Sequence, residues 1–118
     1  MSCKGKGKCD KDGCHSGGLE PLCSTLRIKL LEEIEGWSIS PRERRDRVMP
    51  ILIKTYEFEN FVDALGFVNE IGKIAELMGH HPNIQLEWGK VGVEIWTRAV
   101  DDLTMADFIL AREIDYIK

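Results

Sequence analysis

The stretch Phe61–Met78 (FVDALGFVNEIGKIAELM) limits the possible folds more than any other part of the chain. Phe61, Ala64, Leu65, Val68, Ile71, Ala75 and Met78 recur at three- and four-residue intervals, which predicts a helix with one apolar face. Asn60 stands before it as an N-cap, with Asp63 three residues on, and Gly79 follows as a stop. A helix of this length needs an apolar surface to lie on, and the residues after it supply one. In 83–98 (NIQLEWGKVGVEIWTR), Ile84, Leu86 and Trp88 alternate with polar residues, and Val91, Val93, Ile95 and Thr97 resume the alternation. This predicts a hairpin with Gly89-Lys90 as its two-residue turn.

The rest of the chain reads in the same way. Residues 22–34 (LCSTLRIKLLEEI) space Leu26, Leu30, Leu31 and Ile34 as a helix ending before Gly36, with Ser24 or Thr25 as a cap. Trp37–Ser40 alternates as a short strand, and Pro41–Arg47 (PRERRDR) reads as a charged turn or loop. Residues 48–58 (VMPILIKTYEF) read as a strand, with regular pairing expected only after Pro50. Thr104 caps a last helix from Met105 to about Tyr116, with Met105, Phe108, Ile109, Ala111 and Ile114 facing inward. The element order is α-β-β-α-β-β-α, an α+β arrangement. Trp37 and Trp88 are expected in the core.

Residues 1–18 (MSCKGKGKCDKDGCHSGG) differ from the remainder. They carry four Lys against two Asp and have no aliphatic or aromatic residue after Met1, so they read as a tail, with the domain spanning 19–118. The spacing C-x5-C-x4-C-H (Cys3, Cys9, Cys14, His15) offers three thiols and an imidazole, a set able to fill a tetrahedral zinc shell. It is looser than the C-x2-C pairs of common zinc modules. A tail with free thiols is the preferred reading, and zinc on those four residues is the alternative. A disulfide framework is not expected, because the chain reads as cytoplasmic: no apolar block follows its N-terminal lysines. The net charge of −4 disfavours nucleic acid, and no apolar run approaches the ~20 residues of a membrane helix.

The hairpin arithmetic places a candidate site. A Gly89-Lys90 turn puts Leu86 opposite Val93, Ile84 opposite Ile95, Gln85 opposite Glu94 and Asn83 opposite Trp96. Extending the ladder brings His81 opposite Arg98. A face with His81, Arg98, Trp96 and Glu94 holds more polar chemistry than a sheet needs, and its aromatic ring can stack a flat ligand. Each feature also has an ordinary explanation. A histidine near a helix C-terminus is favoured by the dipole, Glu76 can simply pair with His80 one turn on, and Asp107 fits a capping box.

The run Glu76-Leu-Met-Gly-His80-His81-Pro82, followed by Trp88, Thr97 and Leu103-Thr104-x-x-Asp107, resembles the pterin-4a-carbinolamine dehydratase family. Gly36-Trp37, Tyr56-Glu57-Phe58, Phe61, Ala64 and Phe67 extend the likeness across about 22–118. The resemblance implies a four-stranded antiparallel sheet with helices packed on one face, and assembly as a homodimer or homotetramer. It implies dehydration of 4a-hydroxytetrahydropterin to quinonoid dihydropterin, a pterin-recycling step, with the pterin as substrate and no metal or cofactor. His80 and His81 fall on catalytic histidines; Glu76, Pro82, Trp96, Arg98 and Asp107 are the expected substrate-binding and orienting residues. Hydroxide is a poor leaving group and the N5 proton must depart, so the reaction needs an acid and a base, and histidine suits both near neutral pH.

The sequence departs from that family at Arg98, where a third histidine is usual, and at Gly79, where an acidic residue is common. Arginine cannot take a proton from substrate. The alternative reading is therefore a non-catalytic pterin-binding or accessory protein, with Arg98 gripping the phosphate of a pterin such as molybdopterin.

Overall fold

A computed structural model describes residues 21–117. The elements are α1 (Ser24–Glu32), β1 (Ser38–Arg44), β2 (Arg47–Glu57), α2 (Phe61–Met78), β3 (Asn83–Glu87), β4 (Lys90–Ile95) and α3 (Met105–Ile117). The strands form one antiparallel sheet in the order β1-β2-β4-β3, with the helices on one face. No helix among the described residues is long and apolar enough to cross a membrane.

α2 has the bounds its end signals predict. The Asn60 side chain accepts a hydrogen bond from the Asp63 amide at 2.7 Å, and Gly79 closes the helix in the left-handed region at φ 66°. Its buried face is rotated from expectation. Ala64, Phe67, Ile71 and Ala75 are buried, whereas Phe61 and Leu65 stay 43% and 40% exposed. Phe67 sets that rotation by packing on the rings of Tyr56 and Phe58, at centroid distances of 4.6 and 5.1 Å.

Both hairpins correct the sequence reading. Pro41–Arg47 is not a loop: β1 runs through Pro41 to Arg44 and turns at Arg45 and Asp46, with Arg45 at φ 56°. β1 is an edge strand, which tolerates proline and charge because one side needs no ladder partner. Regular pairing is not confined to residues after Pro50: Val48, Met49 and Pro50 lie opposite Glu43, Arg42 and Pro41 in the β1–β2 ladder, and only β4 waits until Leu52, beyond the missing amide. In the second hairpin the turn is Trp88-Gly89, with Glu87 opposite Lys90 and Leu86 opposite Val91. Gly89 takes φ 75°, the sign a type II turn requires at its second central position. Trp88 thus sits at the tip and is 71% exposed rather than in the core. The register differs from expectation by two residues, so the apolar and polar faces of both strands are unchanged.

The helices at the ends of the domain deviate in smaller ways. α1 begins after Cys23 with no side-chain cap, so neither Ser24 nor Thr25 serves as one. Cys23 is buried and disulfide-bonded, where reduced thiols were expected. Cys3, Cys9, Cys14 and His15, and the tail they belong to, lie outside the described residues. In α3, Phe108, Leu110, Ala111 and Ile114 are buried, but Ile109 is 47% exposed.

Trp37 is buried as expected, edge-on to Tyr56. Its indole donates to Asp115 near the end of α3, which also accepts from the Tyr56 hydroxyl at 2.6 Å and the Lys54 ammonium at 2.9 Å. Burial, together with the bond to Asp115 and its charge, pushes the Tyr56 phenol far above its ordinary value. A free tyrosine ionises near 10, so above that pH the unfolded chain releases a proton the fold retains, and stability falls. Below it Tyr56 is neutral in both states and contributes no slope. Denaturant melts from pH 8 to 11 should show this loss, and Tyr56→Phe should flatten it while costing about 1–2 kcal/mol at neutral pH.

Candidate active site

The two histidines leave α2 through its C-terminal turn. The amides of Gly79 and His80 both reach the Ala75 carbonyl, so the left-handed glycine folds the chain back over the helix end. Pro82, half-buried, follows and leads into β3 with its fixed φ.

His80 is largely enclosed, its side chain 14% exposed, and its Nε2 lies 2.5 Å from Oδ1 of Asp107. Asp107, in the first turn of α3, is fully buried. Its other oxygen accepts from Thr97 Oγ1 at 2.9 Å and from the Thr104 amide at 2.8 Å. The carboxylate reaches back to the Thr104 amide as in a capping box. The Thr104 hydroxyl is diverted to Thr97, at 2.8 Å, instead of capping α3. An ionised carboxylate only accepts, so His80 Nε2 carries hydrogen and a neutral ring presents Nδ1 as a lone pair. No hydrogen bond occupies that nitrogen among the described residues.

His81 is also held by a carboxylate, but in the open. Its Nε2 lies 2.6 Å from Glu76 Oε2, and the two side chains are 56% and 78% exposed. Glu76 therefore pairs with His81 and not with His80, because the turn at Gly79 carries His80 away toward α3. An exposed pair of this kind contributes ~0–1 kcal/mol.

Arg98 is not opposite His81 in a ladder, since β3–β4 pairing ends at Asn83 and Glu94. It reaches the histidines another way. One terminal nitrogen donates to the His81 carbonyl at 3.0 Å and the other to Asn83 Oδ1 at 2.8 Å. The guanidinium carbon lies 4.4 Å from the centroid of the Trp96 ring. Trp96 is buried with the core cluster, its Nε1 without a hydrogen-bond partner among the described residues, so its ring is a platform for Arg98 and offers no open face to a ligand. Glu94 pairs with Arg42 at 2.7 Å. Sequence reasoning missed Asn83 and Arg42; the true register, which sets Asn83 beside Glu94, is the signal that finds them.

The arrangement provides two imidazoles at the end of one helix, each fixed by its own carboxylate, with a planar cation beside them. Such a set can donate a proton, accept one and hold an anion or an oxo group. Among the described residues, no group of three or more His, Cys, Asp or Glu is placed to hold a metal ion.

Known proteins similar to this chain are numerous. A protein of Chlorobium luteolum with the provisional designation pterin-4-alpha-carbinolamine dehydratase is 41% identical over 111 residues, covering 92% of this chain and 94% of its own. One of Rickettsia canadensis with the same provisional designation is 43% identical over 100 residues, covering 84% and 85%. Among solved structures, a transcriptional coactivator/pterin dehydratase from Brucella melitensis superposes with a TM-score of 0.71 at 23% identity, covering 83% of this chain and 98% of that one. A pterin dehydratase-like protein that is a RuBisCO assembly factor in the alpha-carboxysome gives a TM-score of 0.53 at 20% identity, covering 68% and 88%. These two likenesses concern the fold. The family model for pterin 4 alpha carbinolamine dehydratase matches residues 20–117, and together with the identities above it makes this chain a member of that family.

Proposed function

We propose that the protein dehydrates a 4a-hydroxytetrahydropterin to the quinonoid dihydropterin. The observation that carries this reading is the His80–Asp107 pair, a buried carboxylate fixing an imidazole whose other nitrogen has no hydrogen-bond partner among the described residues. In the reaction the C4a–O bond breaks, the oxygen takes a proton and leaves as water, and N5 gives up its proton as N5=C4a forms. His80 as imidazolium protonates the departing oxygen, with the negative charge of Asp107 behind it. His81 assists from the more open side by accepting the N5 proton. Arg98 binds the pterin and has no proton-transfer role, since a guanidinium stays protonated.

Absorbance-monitored dehydration of chemically generated 4a-hydroxytetrahydropterin tests the reading. A rate well above the uncatalysed background supports it. A background rate from folded protein that still binds pterin would favour the non-catalytic alternative. The same assay reports on Arg98. If a proton-transfer group is missing there, Arg98→His should raise the rate by about 10-fold or more, and an unchanged rate would show that two histidines suffice.

A further inference from the structure

We infer that the site continues past the histidines into an anion subsite centred on Arg98, which takes a phosphate or carboxylate on the pterin's side chain. This rests on the pterin reading above.

Arg98 is exposed yet held in one orientation by the His81 carbonyl, the Asn83 amide oxygen and the Trp96 ring. Arg27, Arg42, Arg44, Arg47 and Arg112 each pair with a carboxylate, whereas Arg98, like Arg45 at the β1–β2 turn, has no such partner among the described residues. A guanidinium carries five N–H donors. The two bonds named leave three of them, enough for a bidentate grip on a planar carboxylate or a phosphate edge. Fixing the fork beforehand lowers the ordering cost of binding.

Space for the rest of the side chain lies next to it. A cleft of about 490 Å³ opens on the face of the sheet, lined by residues that include Thr55, Asn83, Gln85, Gly92 and Glu94. Arg98 does not itself line the cleft; Asn83 does, and it links the two, since its side-chain oxygen accepts from Arg98 at 2.8 Å. Glu94 lies opposite Asn83 in the ladder, and its charge is met by Arg42. Two guanidinium groups are thus anchored on neighbouring residues whose Cα atoms are about 5 Å apart.

The floor of the cleft is Gly92, in the middle of β4 and paired with both Thr55 and Gln85. A Cβ there would meet Gln85 Cβ at 3.9 Å, an ordinary contact, so the packing of the chain itself does not demand glycine. Glycine inside a strand weakens it and often marks close approach of a ligand. Here its effect is to leave the floor open.

Pterin fluorescence titrations with 6-hydroxymethylpterin, its phosphate monoester and pterin-6-carboxylate test the subsite. The wild type should bind an anionic form about 10- to 100-fold more tightly than the neutral one, the range expected for hydrogen bonds to a charged group. Whether the phosphate or the carboxylate gains more identifies the anion. Arg98→Ala should abolish the preference for the anionic forms. Arg98→Lys, which keeps charge without the fork, should retain part of it. Gly92→Val, favourable for a strand, should weaken ligands with a side chain but not unsubstituted pterin. Equal binding of neutral and anionic pterins by the wild type would overturn the subsite and leave the pterin reading standing. Binding of none of the three would overturn both.

Discussion

Replacing His80 with alanine should lower the dehydration rate by about 10²–10⁴-fold, the usual contribution of one positioned proton-transfer group. The loss should fall on kcat, because the proton moves to the leaving oxygen in the transition state and not in the bound ground state. The fold should survive. His80 lies at the rim of the core, and Asp107 keeps its bonds to Thr97 and the Thr104 amide when the ring is gone. His81→Ala should cost less, since that ring is half-exposed and its carboxylate partner is free to swing in solvent. Circular dichroism with steady-state kinetics on both variants checks this, and a His80→Ala enzyme running at the wild-type rate would remove His80 from the mechanism.

Asp107 separates stability from chemistry. Asp107→Ala strips a buried site of the acceptor for the Thr104 amide, the Thr97 hydroxyl and the His80 ring. Unsatisfied buried donors cost ~1–3 kcal/mol each, so the domain should lose about 3 kcal/mol and melt more than about 10 °C lower. Asp107→Asn keeps the shape and an oxygen acceptor, so the melting temperature should move little. Its amide N–H₂, however, would face His80 Nε2. The ring would then accept there, and the neutral amide would no longer stand as a counter-charge behind the imidazolium that the proposed role requires. Activity should fall by about 10²–10⁴-fold in a protein that is otherwise intact. An active Asp107→Asn variant would show that the carboxylate matters only for packing.

Local signals were the legible part of the fold. Asn60 and Gly79 cap α2 through contacts within a few residues, so its limits could be read from the chain, as could the element order. What depended on distant partners could not. The buried face of α2 turns on Phe67 meeting Tyr56 and Phe58 across the core. The second hairpin's register was undetermined because glycine can occupy either turn position and both choices preserve the faces. The charges of Pro41–Arg47 hid a strand because an edge strand places few demands on its side chains. At the site, His80, His81 and Asp107 stood out through their resemblance to a known motif. The pairing of Glu76 with His81, and the Asn83 clamp on Arg98, follow from a chain reversal at Gly79 and a register that periodicity does not encode.

α3 carries an anchored carboxylate near each end. Asp107 fastens its first turn to the His80 ring, and Asp115 fastens its last turn to Trp37, Lys54 and Tyr56. At 1.5 Å per residue the two lie about 12 Å apart along the axis. A rod pinned at both points can neither slide nor roll without breaking one set of bonds. The distance from the carboxylate to the imidazole is therefore gauged from the far side of the core, and a change in the Tyr56 neighbourhood would be felt at His80 as a misalignment.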